Sequence, residues 1–284
     1  VTQQARPEKH GALASPTPPP GAAADWTVPQ RWDELTEEDH WVWDTLFARQ
    51  RSLLRGRAVT AFDEGIDVLS LNRPGIPNLD ELNARLGART GWTVVSVPGV
   101  VPDDVFFRHL SERRFPAGNF IRAADQLDYL EEPDVFHDVF GHVPMLARPE
   151  VADFMQALGK LGLEAGDHGA QHRLARLYWY TVEFGLAREK GELRIYGAGI
   201  LSSFGEAHYS LESARPHRLA FDLKRVMRTR YRTDAFQRSY FVIDRFEDML
   251  ALVLRNDWPA LCAELDSLPD LDPCTVGGDD RLAA

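Results

Sequence analysis

The sequence has 284 residues, 44% of them hydrophobic, enough to build one sizeable core. Its 32 Lys and Arg against 43 Asp and Glu give a net charge of −11, which argues against a nucleic-acid partner, because such binding rests on clustered basic side chains. Cys262 and Cys274 are too few for a disulfide framework or a cysteine metal site and fit a reducing cytoplasm, and without a basic-then-apolar leader or an apolar run of about 18 residues neither export nor membrane insertion is expected.

Residues 1 to 25 are rich in Pro, Ala, Gly and Thr with almost no large apolar side chain, so burial cannot repay the entropy of ordering them and a disordered lead is expected. A helix is predicted from Thr36, where Thr-x-x-Asp resembles a capping box and Trp41, Trp43, Leu46 and Phe47 form an apolar face. Another follows Asn78, with Leu79, Leu82 and Leu86 in register and Gly91 as terminator. Residues 92–97 (WTVVSV) read as a strand before Pro98. Further helices are predicted over 103–114, 149–161, 168–189, 216–229 and 245–256, and short strands over 119–122, 192–196 and 239–243. The fold class is therefore mainly α with small β elements. From Pro273 to the end a flexible tail is expected, leaving residues 26–272 as a single domain.

Three segments carry chemistry. In EEPDVFHDVFGHVP (131–144) two histidines stand five apart, and an unbroken α-helix would point them roughly 140° from one another at about 100° per residue. If Asp134 caps a short helix, Gly141 ends it and Pro144 discourages its continuation, His142 can swing back toward His137. Two ordinary histidines at a helix end remain the alternative. In RLARLYWYTVEFGLA (173–187) apolar and aromatic groups surround Glu183, and a carboxylate so enclosed demands a partner: a metal, or one of the chain's arginines. Two imidazoles and one carboxylate make the facial triad of non-haem Fe(II) oxygenases. Trp179, one α-helical turn before Glu183, is expected on the same face, as a pocket wall or as plain core. In ELRIYGAGILSSFGE (192–206) a strand leads into a small-residue turn at Gly197 and Gly199, which lacks the third glycine of a dinucleotide fingerprint.

The strings EPDVFHDVFGHVP, LYWYTVEFGL and YGAGILSSFGE, in this order, resemble the catalytic domain of the tetrahydropterin-dependent aromatic amino acid hydroxylases over about Phe107 to Tyr240. The resemblance implies that family's fold, a helical basket around a mononuclear iron. It implies iron binding by His137, His142 and Glu183, and a substrate carboxylate held by Arg122 with Asp134 beside it, a task suited to a bidentate guanidinium. It places Ser202 at the substrate end, Pro133, Trp179, Phe184 and Gly199 around the aromatic ring, and Phe115, Ala175, Tyr178 and Tyr231 beside the pterin. Fe(II), tetrahydropterin and O₂ as co-substrate are the implied cofactors, and phenylalanine the implied substrate, converted to tyrosine. Tryptophan or tyrosine as substrate, a zinc hydrolase on the same triad, and a noncatalytic metal- or amino-acid-binding protein are the alternatives. Two positions depart from the family pattern: Leu130 replaces a threonine seven residues before the first histidine, and Asp138 replaces the glutamate after it. The bacterial members that the chain most resembles are commonly monomeric.

Overall fold

The structure, a computed structural model, describes residues 17–128, 132–166 and 170–283. Thr36 Oγ1 accepts from Asp39 N while the Asp39 carboxylate accepts from Thr36 N, so the capping box starts helix α1 (Glu37–Leu54) as expected. Trp43 is fully buried, but Trp41, two positions away and so on the opposite side of the helix, is 53% exposed. Helix α2 (Thr60–Val68), which the sequence reading missed, packs next. Helix α3 (Leu79–Thr90) is capped by Asn78 Oδ1 and closed by Gly91 at φ 74°, the left-handed conformation that favours glycine.

Strand β1 (Thr93–Val97) crosses through helix α4 (Asp103–Ser111) to strand β2 (Arg114–Gly118), with which it pairs in parallel. The strand expected at 119–122 lies instead wholly before that range, at Arg114–Gly118, because its partner is β1 and register with Thr93–Val97 sets its span. A helix over 136–146 follows, and then α6 (Pro149–Gly166), whose Gly159 and Gly162 let α4 approach so closely that an added Cβ would stand 2.4 Å from Ser111 N and 2.3 Å from the Phe107 ring. The short stretch of α-helix at its end, Val143–Leu146, is α5.

The helix expected over 168–189 is three things. Helix α7 (Gln171–Tyr178) runs into a π-helical turn (Trp179–Glu183), and strand β3 (Leu186–Glu189) begins three residues later. Lys190 and Gly191, both at positive φ, turn it back into β4 (Glu192–Ile195). Short helix α8 (Ala198–Leu201) and helix α9 (Phe204–Glu212) precede strand β5 (His217–Ala220) and helix α10 (Leu223–Arg228), so the helix expected over 216–229 begins as a strand. Strand β6 (Ser239–Ile243) completes a mixed sheet of order β4-β3-β6-β5, followed by α11 (Phe246–Arg255) and α12 (Trp258–Asp266). The segment from Pro273, for which the sequence suggests a flexible tail, lies along β5: Ala220 N donates to Arg281 O, and Ala283 N to Arg218 O. Among the described residues no helix is long and apolar enough to cross a membrane.

One large core joins these elements, and its aromatic centre grips the histidine segment. Phe136 and Phe140 stack at 4.7 Å, Trp43 meets Phe136 edge-on at 5.3 Å, and Phe62 meets Phe140 at 5.4 Å. Helices α1 and α2 therefore fix the helix from which both histidines project.

Candidate functional site

The two histidines converge by a device other than the one expected. Asp134 Oδ1 does accept from His137 N at 3.0 Å, so the anticipated capping bond forms. Gly141 does not end the helix, however: Phe136–His142 is wound as a π-helix that passes directly into α5, and Pro144, which has no N–H to donate, sits within this continuous helix. In i→i+5 winding, residues five apart stack one above the other, as residues four apart do in an α-helix. His137 and His142 therefore share a face, their Nε2 atoms 3.3 Å apart.

The same winding aims the carboxylate. Phe184 N donates to Trp179 O across five residues, and Glu183 emerges toward the imidazoles, with Oε1 3.1 Å from His142 Nε2 and Oε2 3.6 Å from His137 Nε2. The face Glu183 shares is that of Tyr178, five residues back, whose hydroxyl it meets; burial first, then this carboxylate, raise the Tyr178 hydroxyl far above its usual range. Trp179, expected on the face of Glu183, packs its indole on Phe184 at 4.6 Å and on Tyr231 at 4.4 Å.

Donor atoms from the three side chains all lie within 4.8 Å of one another. Ligands about 2.1 Å from a common ion and at right angles stand about 3 Å apart, so the set fits a single metal with little movement. Burial holds the His137 imidazole neutral by pushing it down to about 4, and a neutral imidazole is the form a metal takes. Hydrogen bonding assigns its tautomer. Ser202 Oγ donates its one hydrogen to Ala198 O at 2.8 Å, so it accepts from His137 Nδ1, also at 2.8 Å, and the lone pair is left on Nε2. Ser202, expected at the substrate end, thus orients an imidazole.

Arg122 and Asp134 form a buried, two-pronged pair: Nε donates to Oδ2 at 2.8 Å and Nη2 to Oδ1 at 2.9 Å. Burial opposes the charge on Asp134, but Arg122 and the N–H of His137 outweigh it and hold the carboxyl below the usual range. Gly199 lies under Phe184, where an added Cβ would stand 2.7 Å from the ring.

Beside the donor atoms opens a cavity of about 130 Å³ whose walls include Val101, Phe106, Phe115, Ala175 and Tyr178 and whose floor is His137, His142 and Glu183. Three of the four residues expected around a pterin, Phe115, Ala175 and Tyr178, are here, with Phe115 lying against His142 at 4.8 Å. Pro133, expected around the substrate ring, also lines this cavity. Tyr231, expected beside the pterin, is not among its walls; it stacks on Trp179. Its planar ring finds the indole face there. Asp138 joins the lining and accepts from Gly118 N at 2.8 Å, and burial pushes its carboxyl up to about 7. In the sequence it stands out only as a departure from the family pattern, an aspartate in place of a glutamate. Leu130 lies outside the described residues.

Comparison with known proteins agrees with this geometry. Residues 27–256 match the family model of the biopterin-dependent aromatic amino acid hydroxylases. The phenylalanine-4-hydroxylase of Caulobacter vibrioides is 55% identical over 254 residues, 89% of this chain and 86% of that protein. That of Chromobacterium violaceum is 55% identical over 247 residues, 87% of this chain and 83% of that protein. The crystal structure of the Chromobacterium violaceum phenylalanine hydroxylase with iron and phenylalanine bound superposes with a TM-score of 0.87 at 48% identity, covering 92% of this chain and 94% of that one. The chain belongs to the biopterin-dependent aromatic amino acid hydroxylase family.

Proposed function

We infer that the chain is a phenylalanine 4-monooxygenase, converting L-phenylalanine to L-tyrosine with O₂ and a tetrahydropterin at an Fe(II) held by His137, His142 and Glu183. The observation that carries this is the convergence of those three side chains on the floor of an aromatic-walled cavity, in a chain 55% identical to phenylalanine-4-hydroxylases over most of its length. Iron and tetrahydropterin, when bound, supply the electrons and the oxygen activation; the protein supplies position and a dry surround. Two edges of Arg122 face Asp134, which aims the guanidinium and leaves Nη1 for the substrate carboxylate. Trp179, Phe184, Pro133 and Gly199 enclose the substrate ring. Phe115, Ala175 and Tyr178 hold the pterin against the metal side of its cavity. Ser202 keeps the His137 lone pair on the metal.

We further propose that residues 26–272 act as one catalytic domain, supported by the single core that runs from α1 to α12, and that the chain is a monomer, to be checked by light scattering. The unpaired Cys262 and Cys274 fit a cytoplasmic setting.

The test is an aerobic assay of phenylalanine, tyrosine and tryptophan with Fe(II) and tetrahydropterin, with products identified by mass. Tyrosine from phenylalanine, dependent on both pterin and oxygen, is expected. Glu183→Ala should lose bound iron and at least roughly a hundredfold in rate while keeping its helical content. Tyrosine formation at the parental rate in that variant would remove Glu183 from the ligand set, and phenylalanine binding without pterin oxidation would favour a noncatalytic role.

A further inference from the structure

Glu206, on α9, is 4% exposed and meets no cation among the described residues. Its Oε1 accepts from the Tyr240 hydroxyl and, at 3.0 Å, from the backbone N–H of Gln237. Burying an anionic side chain with neutral partners alone is costly, and burial pushes this carboxyl up to about 7. Packing alone would be served more cheaply by an apolar residue, so the position of Gln237 is what the carboxyl secures.

Gln237 is itself buried and uses both ends of its amide. Nε2 donates to Arg232 O at 3.0 Å, and Oε1 accepts from the indole Nε1–H of Trp179 at 3.0 Å. An indole has one such donor, so this bond fixes how the ring is turned in its slot between Tyr231 and Phe184. One connected unit, α8 with α9, thus orients His137 through Ser202 and the indole wall through Glu206.

We propose that Glu206 is a positioning residue: by fixing Gln237 it sets the attitude of the Trp179 indole, and through it the register of the substrate ring with the metal. This rests on the functional reading above. Small displacements of a reacting ring are expensive, about a hundredfold for roughly 1 Å, whereas Trp179 is not among the walls of the cavity assigned to the pterin. Loosening the indole should therefore waste pterin.

The experiment compares Glu206→Gln, Glu206→Leu and Gln237→Leu with the parent, as iron-loaded full-length chains. Tyrosine formed per tetrahydropterin oxidised is measured with KM for phenylalanine and for pterin. Glu206→Gln keeps an oxygen acceptor and should match the parent within about twofold. Glu206→Leu and Gln237→Leu should raise KM for phenylalanine roughly tenfold and lower the product ratio below about one half, with KM for pterin and iron content unchanged. If Glu206→Leu fails to fold, Gln237→Leu and Glu206→Gln decide the matter. A parental product ratio and phenylalanine KM in Gln237→Leu overturn the proposal, as does a parallel rise in both KM values, which marks general disruption. A parent that makes no tyrosine at all overturns the functional reading instead, and is seen without any variant.

Discussion

Asp134 concentrates several tasks in four oxygen lone-pair directions: it accepts from Arg122 N, Nε and Nη2 and from His137 N. One carboxylate therefore starts the histidine helix and aims the arginine. Asp134→Asn preserves the shape but turns an NH₂ group toward a guanidinium or toward the His137 N–H. The predicted result is a loss of about 3 kcal/mol in denaturant unfolding, the scale seen when one partner of a buried pair is removed, together with at least a tenfold rise in KM for phenylalanine. An unchanged KM would show that Arg122 is held in place by something else. Residues such as these were legible because their chemistry is written in one short string. Glu206 and Gln237 were not: their link spans 31 residues and runs through a backbone N–H, which leaves no trace in composition. Ser202 was legible as a site residue, but only the coordinates show its hydroxyl on His137 Nδ1.

The elements teach a different lesson, because period arguments assume α-helical winding. Both metal-facing segments depart from it, at Phe136–His142 and Trp179–Glu183, and each departure moves side chains to a face that 3.6-residue periodicity assigns to others. Periodicity likewise does not show that the Trp179 indole packs on Phe184 and Tyr231. Strands β3 (LARE) and β5 (HRLA) were hidden for another reason: they contain no β-branched residue, and pairing with β6 overrides their local preference for helix. The capped helices α1 and α3 were legible because caps are local. Packing of the histidine helix can be tested through α2. A Cβ on Gly65 would stand 2.1 Å from Pro144 O, a backbone atom that cannot turn aside, whereas one on Gly87 would meet only Trp92 O at 3.7 Å. Gly65→Ala should lose on the order of 2 kcal/mol or more and weaken iron binding as α5 is pushed from α2. Gly87→Ala, within α3, should gain about 0.5 kcal/mol. Similar melting temperatures for the two variants would contradict the close approach.

Over the whole molecule, carboxyls act in two opposed ways. Asp134, and Asp270 through its hydrogen bond to Arg176, have lowered pKa values; they stabilise the fold above their unfolded values and lose that contribution as pH falls through the folded ones. Glu206 is displaced the other way, from 4.5 to about 7, because burial favours its protonated form. Between those values the unfolded chain gives up a proton that the folded chain retains, so stability falls as pH rises through this window and levels off above it. The displacement is worth on the order of 3 kcal/mol. Asp138, raised to about 7 by burial, acts in the same sense, and the formal net charge of −11 adds self-repulsion toward neutral pH. The metal-free protein should therefore melt highest near about pH 5 and progressively lower toward pH 8. Glu206→Gln removes one titrating group while keeping an acceptor for Gln237 N and the Tyr240 hydroxyl. The substitution can shift all melting temperatures by a constant, so the slope is the quantity to read: calorimetry from about pH 4 to 8 should show a shallower decline in the variant, its advantage growing from pH 4.5 to 7 and constant beyond. Parallel curves would mean that Glu206 is ionised in the fold throughout this range.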